Sequence, residues 1–360
     1  MKTHSPVCVV LALAFAAAPL GAQNAPSPTV AEKSADDLGR FKNADEFWAY
    51  LEKLKKGPEK QPESRDEVVA YLKQLQSALA GFIARFPEDP RRFAAKLDKV
   101  VIENTSLASF TGTPSDPKAV EAVCKEILAE KNISEDIRRR ARFYFLLSSM
   151  ENGADDKLQS EIAAFCKDYP KDARGDVDIL NWKLGKKLAA TDPAKAEALL
   201  AEASKSANGQ IAEAVKTELR LVQLRGKPFD LKFTAVDGSK VDLAKLRGKV
   251  VLVDFWATWC APCMAEVPNV VAAYKKLHAK GFEIVGISLD QDKRAMLRVT
   301  KEKGMTWPQY FDGQGWENAI SSKYGIETIP AMWLINKKGL LVNTEAGEGL
   351  EEAVEKLLAE

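Results

Sequence analysis

Two cysteines separated by two residues, Cys260 and Cys263, lie in the stretch Trp256 to Pro268, "WATWCAPCMAEVP". Thiols at this spacing serve as metal ligands, haem anchors, structural bridges or redox reagents. A zinc site takes four ligands, commonly two such pairs or one pair with two histidines. Beyond the N-terminal segment this chain offers one pair and one histidine, His278. Haem attachment needs a histidine directly after the second cysteine, and Met264 stands there. A purely structural bridge over two intervening residues closes almost no loop and constrains little. The remaining chemistry is a dithiol that cycles.

Such a pair must be positioned. Cys260 follows a β-branched apolar run, Val250 to Phe255, and opens a helix expected over about Ala261 to Ala279. Unpaired N–H groups and the helix dipole at a helix start favour a thiolate, and in C-x-x-C motifs the first thiol's pKa falls to about 3.5–7.5. Cys260 is therefore expected to be exposed and reactive, with Cys263 one turn inside and less exposed. Pro262 costs little there, because first-turn N–H groups have no intrahelical partner to lose. Further on come an apolar strand "FEIVGISLD", a helix around Lys293 to Lys303, a short helix near Trp316 to Lys323, strands at "AMWLIN" and "LLVN", and a final helix Leu350 to Leu358. Before the cysteines, "FDLKFTAVDGSKVDLAKL" alternates around the turn pair Asp237-Gly238. Strand and helix alternation calls for an α/β domain with a central sheet. Trp307-Pro308 and "DGQGWE" are read as turn and loop, and Trp256 as core.

These residues resemble the thioredoxin superfamily and, within it, the exported TlpA/ResA-like thiol-disulfide oxidoreductases. The family motif W-C-x-P-C is met by Trp259, Cys260, Ala261, Pro262 and Cys263, and the following x-x-E-x-P by Glu266 and Pro268. Downstream, "YGIETIPAMWLIN" matches the strand entry through a cis-proline, at Pro330 with Ile329 before it. The resemblance covers about 226–360. It implies that Cys260 attacks a client disulfide, Cys263 resolves the mixed disulfide, and Pro330 presents backbone groups to the client. It implies that Trp259, Pro262, Ile329 and Pro330 form the client-binding surface and that Glu266 manages protons near the pair. Asp254 matches a buried aspartate that assists deprotonation of the second cysteine; its usual basic partner is unmatched, because Gly286 falls there. The cysteine pair is the redox group, with no separate cofactor and no metal. Clients implied are disulfide-containing exported proteins, apocytochrome c among them, with a membrane thiol-electron donor behind the dithiol.

The rest of the chain differs in texture. Residues 1–22 read as a secretory signal, with Lys2, an apolar run Val7 to Ala18 and small residues ending at Ala22. The run is shorter than the roughly 18–20 residues of a membrane span, so a retained anchor is the lesser alternative to a free periplasmic protein. Residues 23–35, rich in Ala, Pro, Ser and Asn, read as a flexible leader. Over 36–222 apolar residues recur at helical spacing, as in Val68, Tyr71, Leu72, Leu75 and Leu79, and in Ala196, Leu199, Leu200 and Ala203. "FIARFPEDPR" and "FCKDYPKDAR" share the form F-x-x-x-aromatic-P-x-D-x-R, like the turn between helical hairpins of a tetratricopeptide-like array; an irregular bundle is the alternative. The expected architecture is an all-α helical domain over 36–222, a linker near Leu224 to Pro228, and a thioredoxin-like α/β domain over 226–360.

With 52 basic and 51 acidic residues in 360, the charge balance argues against nucleic acid as a partner. Arg138 to Arg140 follow two acids and read as a solvated helix face. Cys124 and Cys166 lie among apolar residues at helical spacing, either as buried thiols or bridged to each other, and outside the catalytic cycle in both cases. The leading function is an exported protein-disulfide reductase. A disulfide oxidase or isomerase is an alternative, as is a helical binding or scaffold protein with an auxiliary redox domain. A thiol peroxidase is disfavoured, because "DFWATWC" lacks that class's P-x-x-x-T-x-x-C pattern.

Overall fold

The computed structural model describes residues 39–58, 60–170, 174–347 and 349–360. The expected signal and leader, 1–22 and 23–35, lie outside the described residues. The chain forms two compact units, Met1–Ala212 and Glu213–Glu360. The division falls within a helix, ahead of the expected linker. The reason is apolar: Leu221 and Leu224, on that helix's last turns, pack against the C-terminal core, and Thr217 Oγ1 donates to Glu327 Oε1 at 3.0 Å.

Ten α-helices precede the first strand among the described residues: α1 (Ala44–Leu54), α2 (Arg65–Arg85), α3 (Arg92–Ile102), α4 (Ala108–Thr111), α5 (Pro117–Ala129), α6 (Glu135–Ser149), α7 (Asp156–Asp168), α8 (Asp176–Leu188), α9 (Pro193–Ala203) and α10 (Gly209–Leu224). Their starts follow from local chemistry. Asn43, Ser64, Ser134 and Asp155 cap α1, α2, α6 and α7 by accepting from free first-turn N–H groups, and Asp116 and Asp192 do so just ahead of Pro117 and Pro193. Consecutive helices pack together, α2 on α3, α5 on α6 and α8 on α9. The last pair approaches closely because Gly185 has no side chain: a Cβ there would sit 2.8 Å from Leu200 Cγ. The stripe Val68, Tyr71, Leu72, Leu75 and Leu79 is buried in a core with Phe47 and Phe82.

The arginine run departs from expectation. Arg139 pairs with buried Asp176 at 3.1 Å, and Arg140 with buried Asp98, which also pairs with Lys55 at 3.2 Å. Burial works to raise the Asp98 pKa, but Arg140 and Lys55 outweigh it and hold the carboxyl below its usual range. The run is an internal clamp because α6 is covered by neighbouring helices, which sequence spacing alone does not reveal. Cys124 is buried, its thiol pushed up to about 12 by desolvation. Cys166 is only partly buried, and both remain free thiols.

After the end of α10, the C-terminal unit continues with a ribbon of β1 (Lys232–Thr234) and β2 (Lys240–Asp242), antiparallel about the Asp237-Gly238 turn. Then follow β3 (Val250–Trp256), α11 (Ala261–Leu277), β4 (Phe282–Ser288), α12 (Lys293–Lys303), β5 (Gln309–Tyr310), α13 (Ala319–Tyr324), β6 (Ala331–Ile335), β7 (Leu341–Asn343) and α14 (Leu350–Ala359). The sheet runs β5-β4-β3-β6-β7. Its central strand β3 is buried at every residue, lying parallel to β4 and antiparallel to β6. Parallel neighbours need a crossover, which α11 provides. The segment read as a turn, Trp307-Pro308, runs directly into β5, a two-residue edge strand too short to announce itself by alternation.

Candidate active site

β3 ends at Trp256, and a tight turn delivers Cys260 as the N-cap of α11. Its Sγ is bonded to Cys263 Sγ in a disulfide, and the Cys263 backbone N–H points at Cys260 Sγ from 3.1 Å. An N–H aimed at a sulfur at the positive end of a helix dipole stabilises a thiolate there once the bond is reduced. The Ile329 carbonyl oxygen lies 3.7 Å from the same Sγ, and the Ile329-Pro330 peptide is cis. The structure thus brings Cys260, Cys263, Ile329 and Pro330 together. It corrects the expected exposure of the first cysteine: Cys260 is 5% exposed and Cys263 2%, with the Ile329 backbone ahead of β6 lying against the Cys260 sulfur. Pro262 is exposed in the first turn of α11.

The turn is pinned from the end of β4. Buried Asp290 accepts from the Thr258 backbone N–H at 3.1 Å and from Thr258 Oγ1 at 2.5 Å, and Ser288 Oγ donates to it at 2.9 Å. Asn318 continues the tie, its Nδ2 donating to Ser288 O and to Asp312 Oδ1, each at 3.2 Å. This fixes the loop carrying Trp316. Trp316 and Trp259 are 46% and 53% exposed, with ring centroids 5.8 Å apart. An aromatic pair therefore stands in the open directly beside the cysteine that opens α11. Trp256, by contrast, is buried core.

Asp254 lies inside the sheet, in register with Gly286 on β4 and Met332 on β6. Burial alone pushes its carboxyl up to about 7. The space that a basic partner at 286 would fill is taken instead by the Gln309 carboxamide. Glu266 is half-buried, and its hydrogen bond comes from Asn269 Nδ2 at 3.1 Å rather than from the cysteine pair. Asp290, Trp316 and Gln309 escaped the sequence reading. Asp290 had one legible sign, an acid directly after a strand parallel to β3, at the strand ends where α/β sites form. Among the described residues no group of three or more His, Cys, Asp or Glu is placed to hold a metal ion.

A cysteine pair opening a helix off the central strand, faced by a cis-proline segment, defines a thioredoxin-like redox domain. Residues 220–358 match the Redoxin family. Over 126 residues the chain is 35% identical to thiol-disulfide oxidoreductase ResA of Bacillus thuringiensis (strain Al Hakam), covering 35% of this chain and 70% of that protein. It is 30% identical over 118 residues to ResA of Bacillus subtilis (strain 168), covering 33% and 64%. Among solved structures, the thioredoxin domain of a Bacteroides vulgatus thiol-disulfide oxidoreductase is 29% identical, with 37% of this chain and 97% of that one covered and a TM-score of 0.34. Through its C-terminal unit the chain belongs to the ResA-like thiol-disulfide oxidoreductases of the thioredoxin superfamily, and it is an oxidoreductase.

Proposed function

We propose that the protein is an exported protein-disulfide reductase whose working group is the Cys260–Cys263 dithiol. The observation that carries this is the disulfide at the head of α11, with the Cys263 N–H aimed at Cys260 Sγ. In the reduced protein the Cys260 thiolate attacks one sulfur of a client disulfide, forming a mixed disulfide and releasing the other client sulfur as a thiolate. Cys263, its proton passed to Asp254, then attacks Cys260 Sγ. The Cys260–Cys263 disulfide forms and the second client thiolate leaves. Two electrons and two protons from a membrane thiol donor restore the dithiol. The backbone at Ile329 and Pro330, with Trp259, Pro262 and Trp316, forms the surface on which the client lies, and Glu266 serves proton exchange at its edge. Disulfide-bearing exported proteins, apocytochrome c among them, are the proposed clients.

Export rests on the signal-like composition of residues 1–22; among the described residues no helix is long and apolar enough to cross a membrane. The helical unit is read as a tetratricopeptide-like array, supported by the pairwise packing of consecutive helices. The test is Cys263→Ser in the full chain, which should accumulate mixed disulfides on Cys260 and lose turnover of insulin with dithiothreitol. Turnover that survives Cys260→Ser would overturn the reading.

A further inference from the structure

Asp254, Gly286 and Gln309 stand in one row across three strands, Asp254 paired with Gly286 and Gly286 with Gln309. Register partners present their side chains to the same face of a sheet. Gly286 has none, and Gln309 lies into the gap: a Cβ on Gly286 would meet Gln309 Oε1 at 2.0 Å and Nε2 at 2.8 Å. The carboxamide therefore sits one strand spacing, about 4.8 Å, from Asp254. Its orientation follows from chemistry. Trp256 is two residues beyond Asp254 and on the same face, and its indole N–H can only donate; it donates to Gln309 Oε1 at 3.0 Å. Nε2 must then be the other arm of the amide. Gln309 Nε2 and Asp254 Oδ1 are both buried and neither has a hydrogen-bond partner. Buried polar atoms are seldom left so, and here a spare donor and a spare acceptor occupy neighbouring places in one row.

We propose that Gln309 is a positioning residue for Asp254: reaching over the bare Gly286, its amide N–H holds the buried carboxyl and favours its ionised form, a neutral donor in place of a cation. The row neighbours of Asp254 are uncharged, Gly286, Gln309 and Met332, and no charged group contributes to its shift. The titratable groups at the head of α11 are Cys260, Cys263 and Glu266. The pairing is inferred from the shared register row and from the two buried, unpartnered atoms. Its effect on exchange also rests on the role proposed above for Asp254.

The test is a ¹³C NMR titration of the Asp254 carboxyl in the oxidised full-length chain, which reads the pairing without any turnover. Gln309→Leu removes the donor and should raise the midpoint by about one pH unit, a tenfold change in the ionisation equilibrium. Gly286→Ala drives the amide out with its new Cβ and should raise it likewise, so the test survives if one variant fails to fold. In the reduced protein the exchange-rate profile should move by the same amount in Gln309→Leu and should not move when Asp254→Asn is also present. A midpoint unchanged in both variants overturns the pairing, as does a profile shift of equal size in the Asp254→Asn background. A midpoint that moves while the profile stays fixed upholds the pairing and removes Asp254 from the proton transfer.

Discussion

Asp254→Asn should stabilise the oxidised protein above neutral pH, although it removes a residue placed in the redox machinery. The carboxyl moves from an ordinary 3.8 to about 7 because the folded state desolvates it without supplying a counter-charge. Below about pH 4 it is protonated folded and unfolded, and costs nothing. Between about pH 4 and 7 the unfolded chain releases the proton while the folded one keeps it, so stability falls as pH rises. Above about 7 both forms are ionised and the full cost is carried. A gap of roughly three pH units at about 1.4 kcal/mol each gives about 4 kcal/mol. Asparagine has nearly the same shape, stays neutral and keeps an acceptor for Gln309, so it avoids this cost. The assay is urea unfolding of the oxidised chain at steps from pH 4 to 8, followed through the transition that exposes Trp256 of β3 and Trp333 of β6, both buried in the sheet's core. The difference between the two proteins should be small at pH 4 and several kcal/mol in favour of the variant at pH 8. Equal stabilities at pH 8, or parallel slopes across the range, would refute the argument that burial raises this group.

Asp290→Ala should lower stability by about 3 kcal/mol, since it strands the Thr258 N–H and the Thr258 and Ser288 hydroxyls, and should slow insulin reduction by loosening the turn before Cys260; urea unfolding and the turnover rate check both effects. Glu266→Gln should alter the pH profile of exchange while changing stability by less than about 0.5 kcal/mol, because its one hydrogen bond is at the surface; an unchanged profile would make it an ordinary helix glutamate. Cys124→Ser with Cys166→Ser should leave exchange near the wild-type rate while costing about 1–3 kcal/mol of stability through the hydroxyl buried at 124, as insulin turnover and thermal unfolding would show.

What the sequence determined by itself is what depends on near neighbours. Asp116-Pro117 and Asp192-Pro193 announce helix starts because cap and proline act within one turn. Val250 to Phe255 reads as a buried strand because the run is continuously apolar, and the cysteine pair carries its chemistry in its own spacing. The tertiary structure alone decided which distant side chains meet. Arg139 and Arg140 look like a solvated face until α6 is covered and Asp176 and Asp98 arrive from other helices. Asp290 reaches Thr258 only because β4 lies parallel to β3 and ends beside it. Gln309 enters the row of Asp254 only through the register of a two-residue edge strand and the missing side chain of Gly286. Local preference selects helix or strand residue by residue, but register and crossover are set by burying the whole core at once, so contacts between residues far apart in the chain leave little trace in any one segment.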